Sequence, residues 1–178
     1  MNNLTVSGRW LWPLAIANLL VIAMLSQFGA ALKTLVSPHG ILSFEFAGTL
    51  NSTQAILAAW DTPARTSAGL SLGLDYLFLV LYGLFLHLAC LKMTAALPED
   101  SSAGKGRVMA WMPVAAAALD FVENGALVGL LLGAHNETLP KVALYCASIK
   151  FGLVGVSISY LLVCGAALLL GSLKRYPG

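Results

Sequence analysis

Four ionisable residues stand in stretches that are otherwise almost free of charge: Asp75, Asp120, Glu123 and Lys150. An ionised group at the centre of a lipid-facing helix costs about 2.5–3.5 kcal/mol, so such groups turn inward and pair, or they line ligand and proton pathways. At about 100° per residue, Asp120, Glu123 and Asn124 fall on one face of a helix. Glu123 and Lys150 lie at comparable depths in consecutive apolar stretches, which predicts a Glu123–Lys150 ion pair with Asp120 and Asn124 beside it. Asp75 and Tyr82 share a face of the preceding stretch. Three acids set against one base leave an excess of negative charge if all ionise. At least one of Asp75 and Asp120 is therefore expected to be protonated near neutral pH, and the cluster to titrate as one coupled unit.

The chemistry this set offers is binding or transport of a small or amphipathic ligand, or of protons. A lipid-modifying enzyme using Asp120 or Glu123 as acid and base is one alternative. An accessory membrane subunit, whose polar cluster only fixes helix packing, is the other. There is no HExxH, no G-x-S-x-G elbow and no glycine-rich phosphate loop. His39, Glu45, His135 and Glu137 have no spacing that calls for a metal, and His87 reads as a hydrogen-bonded core histidine. No metal and no cofactor is implied. Cys90, Cys146 and Cys164 are odd in number and lie in or beside apolar runs, which suits packed thiols.

The elements that must position these groups follow from composition. Of 178 residues, 58% are hydrophobic and only 10% charged, against about 25% charged in soluble domains. A mean hydropathy of +0.82 leaves too little polar surface to coat one soluble core. Apolar runs over about 11–32, 69–91, 108–134 and 142–173 each reach the ~18 residues needed to span a bilayer. Backbone groups in lipid must be satisfied within their own segment, so these runs become helices. The expectation is an all-α, four-helix transmembrane bundle forming a single integral membrane domain over 1–178. The first run is longer than a signal-peptide core and is expected to remain as a helix.

An outer loop over 33–68 joins the first two spans. Within it Leu50, Ile56, Leu57 and Trp60 recur at near-helical spacing, with Thr49 or Ser52 to cap the start and Thr62-Pro63 to end it. This predicts an interfacial amphipathic segment, apolar face in lipid and Trp60 at headgroup level. The other reading is a lid over the bundle mouth, carried by Glu45 and Trp60. The second connection, Pro98 to Gly106, reads as a flexible loop. Gly125, Gly129 and Gly133 form a row opposite the acids, and Gly152 and Gly155 form one opposite Lys150. Such rows admit a close helix neighbour in the same chain or in a second copy.

Arg9, Lys92, Lys105, Arg107, Lys174 and Arg175 fall on one side of the membrane, and Lys33, Arg65 and Lys141 on the other. That excess puts both termini in the cytoplasm. With a net charge of +2, no nucleic-acid partner is implied. The expected partners are the lipid bilayer and, through the glycine rows, a homo-oligomer or another membrane protein.

Phe44-Glu45-Phe46-Ala47-Gly48, Trp60, Leu74-Asp75-Tyr76 with Tyr82-Gly83, Leu119-Asp120 with Glu123-Asn124, and Lys150-Phe151 together span most of the chain. This pattern resembles small uncharacterised bacterial four-helix integral membrane proteins. The resemblance implies a bacterial inner (plasma) membrane as the home and brings no activity, substrate or cofactor.

Overall fold

The computed structural model describes residues 8–97 and 103–173, and these are helical and without strands. After a single 3-10 turn (Gly8–Trp10) come α1 (Leu11–Ala30), α2 (Ile41–Glu45), α3 (Leu50–Ala59), α4 (Thr62–Ala96), α5 (Ala103–Leu131) and α6 (Thr138–Leu173). Four of them, α1, α4, α5 and α6, are long and apolar enough to cross a membrane. The chain is therefore a multi-pass helical membrane protein. At 1.5 Å per residue, the 35 residues of α4 and 36 of α6 are each over about 50 Å long, well past a ~30 Å hydrocarbon core, so both tilt or project.

α5 packs against α4 on one side and α6 on the other, while α1 lies along α4. Small side chains bring these helices together, but they are mainly alanines. Ala110, Ala116, Ala126, Ala143 and Ala147 are buried at the contacts. Gly83 of α4 sits over α5, where an added Cβ would stand 3.1 Å from that of Ala117. The predicted glycine rows lie elsewhere. Gly152 and Gly155 are exposed, with no atom within 4 Å of where a Cβ would stand, and Gly125 is exposed beside the Tyr76 hydroxyl. Gly129 meets only the end of the Leu139 side chain. Gly133 is not on a helix at all. Its φ of 93° turns the chain after α5, which is why that helix stops at Leu131 rather than 134.

The segment between α1 and α4 departs most from expectation. It does contain an amphipathic helix, α3, capped by the Thr49 hydroxyl, which accepts from the Ser52 N–H at 3.1 Å. Its apolar face turns to protein instead of lipid. Trp60 is only 2% exposed. It packs at 5.2 Å from Phe44 within a core that takes in Leu32, Ile56, Ala64, Ala68, Leu72, Leu127 and Leu130. The reason is polar as well as apolar. The Trp60 indole N–H donates to the Leu32 carbonyl (3.0 Å) and the Ser37 hydroxyl (3.1 Å), partners found on the chain itself that replace headgroups.

Two further contacts hold this cap. Arg65 donates to the carbonyls of Leu57 (2.6 Å) and Trp60 (3.2 Å), closing the C-terminal end of α3. Asp61 accepts from the Ala64 N–H at 2.8 Å and starts α4 at Thr62, seven residues before the predicted 69. Of the second connection, residues 98–102 lie outside the described residues, while Ala103 to Gly106 already belong to α5. Lys174 and Arg175 also lie outside them.

Candidate functional site

The acids and the lysine meet inside the bundle. The Lys150 ammonium, on α6, donates to Asp120 Oδ1 at 2.7 Å and to Glu123 Oε1 at 3.0 Å, both on α5. The spacing of Asp120 and Glu123 makes this possible. Three residues apart, they present their carboxylates side by side, and Glu123 and Asn124 are almost fully buried. Tyr82 of α4 donates its hydroxyl to Asp120 Oδ2 at 3.1 Å. Asn124 joins the cluster by a different route from the one predicted. Its amide nitrogen donates to Asp75 Oδ2 at 2.7 Å, tying α5 to α4 instead of serving Lys150.

Glu45 is the residue the sequence placed least well. The sequence offers it as part of a lid only in the second reading of the outer loop, and it lies at the end of α2 with its Oε2 at 3.8 Å from the Lys150 Nζ. Phe46, next in the chain, stacks on Phe151 at 6.0 Å, and Gly48, at a φ of 68°, turns the chain beside Leu144. These contacts carry α2 down along α6. Burial, above all, pushes the Glu45 carboxyl up to about 8 from its ordinary 4.5. The Lys150 ammonium pulls it down, and Glu123, Asp75 and Asp120 push it further up.

Beside this cluster lies a cavity of about 590 Å³. α1 contributes Ala15, Asn18, Leu19 and Ile22, and α6 contributes Phe151, Val154 and Ile158. Phe78, Phe85 and Leu86 of α4 extend the apolar wall, while Glu45, Asp75, Tyr82, Asp120 and Lys150 supply its polar part. The opening exists because α1 leans on α4 and leaves a gap toward α6. Ligand sites are commonly concavities of ~300–1,000 Å³, largely apolar with a few convergent polar groups.

Three buried polar atoms have no hydrogen-bond partner among the described residues: Glu45 Oε2, Glu123 Oε2 and Asn18 Oδ1. Asn18 was missed in the sequence, where attention to ionisable residues passed over an amide in the first span. Its nitrogen donates to the Leu14 carbonyl at 2.8 Å, so its oxygen is the atom left over. The depths agree. Asn18 lies twelve residues before the end of α1, Lys150 twelve after the start of α6, and Asp120 eleven before the end of α5.

Other predicted groups find local roles. His87 Nδ1 donates to the Ala110 carbonyl at 2.7 Å, the hydrogen-bonded core histidine expected. The Cys90, Cys146 and Cys164 thiols are free and buried. Among the described residues no group of three or more His, Cys, Asp and Glu is arranged to hold a metal ion. Within the acid cluster the cation is Lys150.

Neither a family model, nor a curated protein, nor a solved structure matches the chain. The resemblance drawn from its short motifs therefore rests on those motifs alone.

Proposed function

We propose that the protein binds, and in an oligomer transports, a small amphipathic ligand taken from the plane of the bilayer into the cavity between α1, α4 and α6. One observation carries this reading: a cavity with an apolar wall opens beside a buried cluster of Glu45, Asp75, Asp120 and Lys150. A polar cluster whose only work is to fix helix packing has no use for an adjoining space. Catalysis by Asp120 or Glu123 is less well supported, because the Lys150 ammonium engages both carboxylates. Neither is left to accept or deliver a proton without first giving up an ion pair.

The setting belongs to the same proposal. It is a bacterial inner membrane, with the excess of Lys and Arg placing both termini in the cytoplasm. The accessory role keeps one observation in its favour. Ser148, Gly152, Gly155 and Ser159 form an exposed row along α6, and a second copy or another membrane protein would seat a helix there.

Val154→Trp tests the binding reading by filling the cavity from α6. Native mass spectrometry of protein released from nanodiscs should show wild type retaining a one-to-one amphipathic adduct and the variant losing it. Equal retention by both proteins overturns the proposal.

A further inference from the structure

We propose that the ligand of this cavity is a single-chain aliphatic primary ammonium, its N–H groups donating to Glu45 Oε2 and Asn18 Oδ1. This rests on the binding reading above and names the chemical class the site selects.

The first argument is the type of the leftover atoms. Glu45 and Asn18 are each 8% exposed, both line the cavity, and each keeps a buried oxygen without a hydrogen-bond partner. Asn18 Oδ1 is an acceptor, and the Glu45 carboxyl, which donates to Glu123 while protonated, becomes one when it ionises. A buried acceptor without a donor costs ~1–3 kcal/mol, which a donor-bearing ligand returns. Carboxylate or sulfate headgroups bring only acceptors and leave these atoms unsatisfied.

The second argument is charge. Glu45, Asp75, Asp120 and Glu123 surround a single ammonium, that of Lys150. Lys150 spends its two short contacts on Asp120 and Glu123 and stands 3.8 Å from Glu45, beyond hydrogen-bonding distance. The cluster lacks positive charge: Glu45 has no short bond to the ammonium, and Asp75 has no ion pair among the described residues. The aromatic rings of Phe78, Tyr82, Phe85 and Phe151 line the same space and favour a cation over an anion. A volume of about 590 Å³ is in the range that holds one drug-sized molecule, which suits one aliphatic tail.

Proton linkage follows from what faces Glu45: Lys150 on α6, Asp120 and Glu123 on α5, and Asp75 on α4. An arriving ammonium stabilises the ionised carboxylate. Glu45 therefore gives up its proton on binding, and affinity for the cation rises between pH 6 and 8.5.

The test compares probes of one tail length on the full chain in nanodiscs: dodecylamine, dodecyltrimethylammonium, dodecanol and dodecyl sulfate. The primary amine should bind at least tenfold tighter than the trimethylammonium, which matches its charge but has no N–H to give, and tighter still than the other two. Glu45→Gln and Asn18→Leu should each weaken amine binding several-fold, and more than they weaken dodecanol binding. The wild-type series alone decides the matter if either variant fails to fold. Equal binding of all four probes overturns the amine assignment and leaves the cavity reading standing. Binding of none, with Val154→Trp indistinguishable from wild type, overturns both. Occupation by bilayer phospholipid that dodecylamine does not displace also overturns the single-chain assignment.

Discussion

The two flanks of the lysine cluster are built differently. Toward α5, Lys150 makes short bonds to Asp120 and Glu123, Tyr82 satisfies the second oxygen of Asp120, and Asn124 holds Asp75. Toward α1 and α2 the same cluster meets a cavity and two acceptors left without donors. The α5 side behaves as structure, because Asp120 and Glu123 both pair with the one ammonium, whose removal leaves two carboxylates stranded. The cavity side is where the proposed function seats its ligand. Ion pairing is thus concentrated on one flank and open space on the other.

The sharpest way to break that comparison is Lys150→Met. Removing the shared base leaves buried Asp120 and Glu123 without a counter-charge, which should cost about 3–5 kcal/mol of stability, read from thermal or denaturant unfolding in detergent. A loss under 1 kcal/mol would show that the cluster is hydrated and that its two flanks do not differ. Trp60→Ala tests the cap above the cluster. It removes a buried ring from the Phe44 contact and the donor to the Leu32 carbonyl, and should cost about 3–5 kcal/mol. If Trp60 lay in the headgroup region instead, the change would be nearly neutral in detergent and would shift only lipid partitioning.

The smallest effect per step is a pH slope. Glu45 binds a proton in the folded protein up to about pH 8 and in the unfolded chain only to about 4.5. Between those values the folded state holds the extra proton, so stability falls as pH rises. One group alone contributes at most about 1.4 kcal/mol per pH unit. Glu45→Gln should flatten the melting temperature across pH 5–8.5. A flat wild-type profile over this range would mean that Glu45 is ionised throughout and held by Lys150.

Much of the fold and part of the site could be read from residue order. Four long apolar runs with few charges leave helices as the only economical way to satisfy the backbone in lipid, and the helix boundaries shift only where caps intervene. Asp61 lengthens α4 at its start, and Gly133 shortens α5 at its end. The Glu123–Lys150 pair was legible because both groups sit within spans where neither can face lipid unpaired. Within the chain the glycine rows take no close helix neighbour, because glycine only permits close approach. Which face is approached depends on the neighbouring helix, and here alanine faces fill the contacts.

The linear chain by itself determined the class of the protein and the identity of its buried charges, since both follow from the cost of placing polar groups in hydrocarbon. Only the tertiary structure decided that Glu45 descends from the connecting segment to the lysine, that Trp60 caps the bundle, and that Asn18 looks into a cavity. These depend on how α1 leans on α4 and how α2 folds along α6. Such placements are set by contacts between segments far apart in the chain, which periodicity within a single helix does not encode.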